Sequence, residues 1–382
     1  MATVQEEPPA GESEQHSHAG NPHAAKTGEE LVLERIERDR KRRPKFMDEQ
    51  ITMAHGAGGK ASRQLVEGIF IPKFHNEVLA LLDDAALLEI NGTRLAFTTD
   101  SFVVKPIAFP GGTIGELAVN GTVNDLSVCG ARPLALSAGF ILEEGLPAEI
   151  IKREVNAMAA AARRAQVDIV AGDTKVVERG KCDQMYVNTT GIGVLAAPVP
   201  LHTTRCRPGD KILCSGYIGD HGVAIMLVRG ELELEAEVES DTAPVWPIVE
   251  ALMSAAGEGL RCMRDPTRGG VATVLNEIAL EADLSVVIAE DRVPVRPEVM
   301  GACEILGIDP LYVANEGKLL AVVAPEVADA ALEAMRALPG CEAAAAIGEV
   351  RAEPPGRVLV KTGFGGHRML DLLVGDPLPR IC

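Results

Sequence analysis

The chain has 382 residues, 47% apolar and 24% charged, with a formal net charge of −18. At roughly 150 residues per domain this predicts two or three domains, and with aromatics at only 3% the core must be packed by Ala, Val, Leu and Ile. The acidic balance argues against a broad nucleic-acid or anionic-membrane surface, no run approaches the roughly 20 apolar residues that span a bilayer, and MATVQEEPPAGESEQHSHAG lacks the order of a secretory signal, so a cytoplasmic protein is expected.

Residues 1–28 hold almost no large apolar side chains and are expected to be disordered; His16, His18 and His23 read as a solvated tail rather than a metal site. A charged linker follows, so that 1–47 form an extension and the folded part starts near Asp48. Apolar runs at 86–90 and 94–99 flank Asn91-Gly92, a strong hairpin signal. Residues 113–129 have helical spacing, with Leu117, Asn120, Asn124, Ser127 and Val128 on one stripe. A strand at 134–142 and a helix at 147–165 opened by Pro147 come next. VDIVAGDT reads as a strand running into a loop, and 185–195 as a strand.

The prolines at 198 and 200 and Arg207-Pro208-Gly209-Asp210 mark a boundary. Beyond it KILCSG reads as a strand, GYIGDHG as a turn, VAIMLVRG as a helix and 231–245 as an acidic loop. Helices are expected at 270–282, 297–307 and 325–338, and strands at SVVIAE, LLAVVAP and AAAIGEV, the last taken as final. Both halves mix strands and helices without regular alternation, which predicts two α+β domains, 48–197 and 198–362. Residues 363–382, glycine-rich early and proline-rich late, read as a mobile tail.

The eight cysteines include no C-x-x-C pair, which removes the main support for a zinc ribbon or thioredoxin-type motif. Seven read as small buried hydrophobes. Cys382, the last residue, is expected to have no core to fill.

Acidic residues recur at the ends of apolar runs: Asp83, Asp84, Asp100, Asp125, Asp173 and Asp265. Converging carboxylates repel one another unless a hard cation sits among them, and magnesium typically bridges such groups to phosphates. Singly they have plainer readings. Asp265 before Pro266 fits a helix cap, and Asp100 and Asp173 fit turns. The segment His55-Gly56-Ala57-Gly58-Gly59-Lys60 offers backbone N–H groups and a Lys to phosphate oxygens. It is not a Walker A loop, because Ala54 and Ala61 stand where Gly and Ser or Thr are required.

Taken together, HGAGGK, LDDAA, TTDSFVV, NGTVNDLSVCGA, VAGDTKVV, RDPTRGG, YVANEGK and the terminal PRIC resemble the HypE family of hydrogenase maturation factors, from about Ile51 to Cys382. That family belongs with aminoimidazole ribonucleotide synthetase, selenophosphate synthetase and thiamine monophosphate kinase. LDDAA and NDL occur across the group, whereas the terminal PRIC is specific to the HypE branch. The resemblance implies a two-domain synthetase fold: an N-terminal domain whose half-barrel closes in a homodimer, and a C-terminal α/β domain over the nucleotide. It implies ATP and magnesium, with Gly58, Gly59, Lys60, Asp83, Asp100, Asn124 and Asp173 at the nucleotide and Asp84, Asp125 and Asp265 as metal ligands. The implied reaction dehydrates a carbamoyl group, loaded on Cys382 by the carbamoyltransferase HypF, to a thiocyanate. The cyanide then passes to iron on the HypC–HypD scaffold. Glu316 matches a base near the amide and Lys175 the neighbouring basic position; Arg380 favours the Cys382 thiolate slightly. Loading, dehydration and transfer all reach one sulfur, which implies inward and outward states of the tail. Two other readings compete: a small-molecule ATP-dependent kinase or synthetase of the same group, and a non-catalytic nucleotide-regulated docking subunit.

Overall fold

A computed structural model describes residues 46–74, 76–197, 199–230, 237–373, 375 and 380–382. The extension and most of the linker (residues 1–45), the first part of the acidic segment and Pro377–Pro379 lie outside the described residues.

A short helix α1 (Lys60–Leu65), a π-helical turn (Val66–Phe70) and α2 (Ile71–Phe74) lead to a five-stranded sheet. Its strands are β1 (Ala86–Ile90), β2 (Thr93–Phe102), β5 (Ala131–Glu143), β6 (Asp168–Val177) and β7 (Met185–Leu195), in the order β1-β2-β7-β5-β6. The small hairpin β3 (Ala108–Phe109) and β4 (Gly112–Thr113) stands apart from it. The β1–β2 turn has φ of 51° at Asn91 and 78° at Gly92, the left-handed pair that a tight two-residue hairpin needs. Only β5 and β6 run parallel, and such neighbours require a crossover. The crossover is α4 (Ala148–Ala165), entered at Pro147 and closed by Gln166 in the left-handed region.

Between β4 and β5 lies α3 (Ile114–Val128), started by the Thr113 side chain accepting from the Glu116 N–H. The expected single stripe understates it, because the helix is buried on nearly every side. One flank packs on β2, β5 and β7, and the other on α6 (Trp246–Ala256) and β9 (Leu260–Arg264) of the second half.

The second half is a seven-stranded mixed sheet, β14-β13-β10-β12-β8-β11-β9. It comprises β8 (Lys211–Cys214), β9, β10 (Ser285–Ala289), β11 (Leu320–Val323), β12 (Ala345–Arg351), β13 (Arg357–Lys361) and β14 (His367–Leu370). Helix α7 (Gly270–Ala282) covers one face; α6 and α9 (Ala328–Arg336) cover the other. Helices α5 (Asp220–Val228) and α8 (Pro297–Leu306) pack with α3 in the core that joins the two halves. Among the described residues no helix is long and apolar enough to cross a membrane.

Two expectations change. AGDTKVV is strand throughout, not a loop after a strand. AAAIGEV is not the last strand, since β13 and β14 follow, and β14 takes four residues from the expected tail. The five-stranded sheet is open in the single chain, with β6 as an exposed edge.

Candidate active site

The first and second halves meet at a cleft lined by both. Asp83 and Asp84 precede β1, Asp100 lies within β2, Asp125 within α3, and Asp265 directly after β9. Asp100 and Asp125 are therefore held inside regular elements, not at their ends. Asp265 is no helix cap either: α7 begins at Gly270 with Gly269 as its N-cap. One Asp265 oxygen, Oδ2, is buried without a hydrogen-bond partner among the described residues. Burial, then Asp84 and Asp100, pushes its carboxyl up to about 8. Burial, then Asp265, Asp100 and Asp84, holds Asp125 well above the usual carboxylate range. Thr98 Oγ1 lies 2.9 Å from both Asp125 Oδ2 and the Asp84 carbonyl, tying the two positions together.

This mutual repulsion and the orphaned oxygen suit a hard cation. Even so, among the described residues no three His, Cys, Asp or Glu side chains are grouped closely enough to hold a metal ion as they stand. Part of the reason is Arg264, which the sequence reading passed over. Its buried guanidinium binds Asp83 (Nη2–Oδ1 2.9 Å), Asp84 (Nη1–Oδ1 3.1 Å) and Glu281 (3.3 Å). Asp83 thus serves as an ion-pair partner joining the halves.

The raised Asp265 value has a consequence for stability. The folded value of about 8 exceeds the ordinary 3.8, so the native state keeps a proton that the unfolded chain releases. Through this carboxyl, stability without ligand falls as pH rises from about 4 to 8. Asp265→Asn is expected to flatten that slope and to raise stability at pH 8 by on the order of 2–5 kcal/mol. Urea melts in chelator across this range check it; parallel slopes for both proteins would refute it.

The glycine segment packs on the cleft from outside. Gly58 has φ +77°, and a Cβ there would stand 2.8 Å from the Cβ and carbonyl oxygen of Arg268, so close approach requires glycine. Arg268 reaches back with Nη1 donating to the Gly56 carbonyl (3.1 Å) and lies 4.0 Å from Asp100 Oδ1. The exposed Lys60 gives its backbone N–H to the Leu373 carbonyl (3.1 Å), so Gly59 and Lys60 border the C-terminal segment.

Glu316 is deeply buried, 3% exposed, and its Oε1 has no hydrogen-bond partner among the described residues. Burial raises its carboxyl well above the usual range, reinforced by Asp100, Asp241 and Asp265 and opposed by Arg268. Asn124 holds its backbone: Nδ2 donates to the carbonyls of Glu316 and Ala243 (3.0 Å each), and Oδ1 accepts from the Val245 N–H (2.9 Å). These bonds give Asn124 a structural task.

Two residues are not brought to the cleft. Asp173 and Lys175 sit on the exposed edge strand β6, paired with each other at 2.7 Å.

The terminal cysteine overturns an expectation. All eight cysteines are outside disulfides and buried, and Cys382 is only 9% exposed. Cys382 and Ile381 join the same core cluster as α3. Their backbone pairs with the segment after β2 as an antiparallel neighbour would: the Val103 N–H donates to the Cys382 carbonyl (3.0 Å) and the Lys105 N–H to the Arg380 carbonyl (3.4 Å). Arg380 Nε donates to the Val103 carbonyl (3.0 Å) and Nη1 pairs with Asp183 (2.7 Å). Arg229 Nη2 donates to the Arg380 carbonyl (2.5 Å). Cys382 lines a cavity of ≈ 140 Å³ with Met53, Gly56, Ser101, Arg268 and Tyr312. Its charge is the foremost influence raising Arg268, ahead of Asp100 and Glu316.

Comparison with known proteins gives this arrangement a family. The N-terminal domain of AIR synthase related proteins matches residues 82–195 and the C-terminal domain of the same proteins matches 207–361. The carbamoyl dehydratase HypE of Bradyrhizobium diazoefficiens is 50% identical over 332 residues, covering 87% of this chain and 96% of that protein. The Escherichia coli carbamoyl dehydratase HypE is 45% identical over 337 residues, 87% and 99% of the two chains. HypE in a solved HypE–HypF complex superposes with a TM-score of 0.77 at 48% identity, covering 81% of this chain and 99% of the other. A HypE structure in complex with ATP gives 0.73 at 49% identity, covering 87% and 100%. The chain therefore belongs to the carbamoyl dehydratase HypE family, within the AIR synthase related proteins.

Proposed function

We infer that the chain is an ATP-dependent carbamoyl dehydratase of hydrogenase maturation that acts on its own Cys382. The observation that carries this reading is the seating of Cys382 in a cavity shared with Arg268, a guanidinium that also feels the charges of Asp100 and Glu316. A small-molecule kinase or synthetase would need that space for its substrate.

A carbamoyl group on Cys382, S–C(=O)–NH₂, has a poor leaving group in its oxygen. Transfer of the γ-phosphoryl of ATP to that oxygen, with loss of one N–H proton, gives an imidate phosphate. Loss of the second N–H proton expels phosphate and leaves S–C≡N. Glu316 takes a proton from the nitrogen; its raised affinity for protons suits it to that task. The glycine segment and Lys60 receive phosphate oxygens, with Asp100 beside them. Asp84, Asp125 and Asp265 are the residues that would hold magnesium with the nucleotide, where it would supply positive charge to the phosphates.

HypF loads the carbamoyl group, and the HypC–HypD scaffold receives the cyanide, all in the cytoplasm. The working form is a homodimer. Strand β6 is a long edge with Val170 and Val176 about two-thirds exposed, a surface that a second copy relieves. The partner copy then brings Asp173 and Lys175 to the reacting group. Sedimentation equilibrium at a single chain mass would remove the dimer. The reaction itself is tested by intact mass after incubation with HypF, carbamoyl phosphate and ATP. The expected product is one thiocyanate on Cys382; a carbamoyl adduct that ATP leaves unchanged would overturn the reading.

A further inference from the structure

The segment Glu239–Thr242, between the two halves, is linked both to the tail, through His221, and to the backbone of Glu316. Its own position is fixed. The Ser240 N–H donates to the Pro110 carbonyl (2.8 Å) in the turn between β3 and β4, and Asn120 Nδ2 of α3 donates to Thr242 Oγ1 (3.1 Å). Gly111, at φ +83°, permits this approach, since a Cβ there would lie 2.7 Å from the Ser240 nitrogen.

From this anchored segment two lines of contact diverge. The first runs to the tail. His221, on α5 and fully buried, has Nδ1 2.8 Å from Ser240 Oγ and Nε2 2.8 Å from the Ile381 carbonyl, the peptide group joined to Cys382. A carbonyl only accepts, so Nε2 carries a proton. Burial lowers the imidazole's proton affinity, with Asp241 opposing, and a neutral ring must then accept at Nδ1. Ser240 Oγ–H is the donor there, while its oxygen accepts from the Thr242 N–H (3.2 Å). This chain sets the tautomer of His221, and the tautomer sets the hydrogen bond to the tail. The ring is also fixed edge-on to Phe109, with centroids 5.5 Å apart.

The second line runs to Glu316. Asp241 Oδ1 accepts the Glu316 N–H (3.0 Å), and Oδ2 lies 3.2 Å from Lys318 Nζ. Asp241 therefore grips the chain at Glu316 and two residues beyond it, opposite the grip of Asn124 on the Glu316 carbonyl.

We propose that Ser240 and Asp241 are positioning residues that fix the distance between the two reacting groups: Ser240, through His221, sets the depth of Cys382, and Asp241 sets Glu316. Neither touches the reacting atoms. The proposal rests on the dehydratase reading for its second line only, because tail seating exists without any reaction.

Two measurements separate the lines. The first is the rate of alkylation by iodoacetamide without nucleotide, counted by intact mass, which reports undocking of Cys382; unfolding would expose all eight thiols instead of one. The second is single-turnover dehydration of carbamoylated protein on addition of magnesium-ATP. His221→Ala and Ser240→Ala are expected to speed alkylation of one thiol, roughly tenfold for the lost hydrogen bond in His221→Ala, and to slow dehydration by a similar factor. His221→Gln, whose amide can donate where Nε2 did, is expected to recover part of both. Asp241→Asn is expected to slow dehydration at least tenfold with the alkylation rate unchanged. Wild-type alkylation in both His221→Ala and Ser240→Ala overturns the first line. Wild-type dehydration in a folded Asp241→Asn overturns the second; if that variant does not fold, Asp241→Glu, which keeps the charge at a displaced position, takes its place. No dehydration in the wild type would count against the function and not against the seating.

Discussion

Cys382→Ala is expected to abolish thiocyanate formation, by at least about 10³-fold, because the sulfur is the atom on which every later step is built. The same change should leave fold and nucleotide affinity intact. The side chain is a small member of a large core, and truncating it costs on the order of 1 kcal/mol. The backbone bonds that seat the tail, from Val103, Lys105 and His221, do not involve the thiol. Intact mass with HypF, carbamoyl phosphate and ATP reads the loss, and calorimetric titration with ATP reads the retained affinity. An adduct that simply moves to one of the other seven cysteines in this variant would sink the carrier role.

The second large effect belongs to Glu316. Glu316→Gln keeps the shape and the backbone bonds to Asp241 and Asn124, yet removes the group that takes a proton. Loss of general-base chemistry typically costs 10²–10⁴-fold, and that is the expected drop in single-turnover dehydration. Loading by HypF and tail alkylation should match the wild type, since neither uses the carboxyl. The variant should also be no less stable, because a buried carboxyl crowded by Asp100, Asp241 and Asp265 is replaced by a neutral amide. Dehydration at the wild-type rate would reduce Glu316 to a structural residue.

What could be read from the sequence was local. Asn91-Gly92 dictates its hairpin through backbone conformation, and Thr113 and Pro147 mark helix starts by their own chemistry, so these elements stand where they were expected. The failures come from contacts distant in sequence. The polar stripe on α3 was visible, but nothing local shows that Asn120 and Asn124 are turned to the segment 240–245 and to Glu316. Asp265-Pro266 has the form of a cap, and the chain instead delays the helix to Gly270, leaving the carboxylate among other acids. Strand β13 lies in the expected second domain after a Pro-rich turn, and β14 lies in the glycine-rich stretch that read as a tail. The terminus looked exposed because its partners, Val103, His221 and Arg229, lie far back along the chain. Arg264 and Asp241 carry no motif of their own; one stood beside a recognised aspartate and the other in an acidic run that looked solvated.

The seating of Cys382 also changes what competition means for this protein. The thiol lies twelve residues beyond the end of β14 at Leu370, a tether no longer than about 40 Å. A group held so near its own cleft behaves as though present at on the order of millimolar concentration, whatever its abundance in the cell. A free thiol or thiocarboxamide mimic must outbid that local excess, so weak mimics fail even when they fit. Dilution does not slow the step, and the cleft has no Michaelis constant for the group it converts.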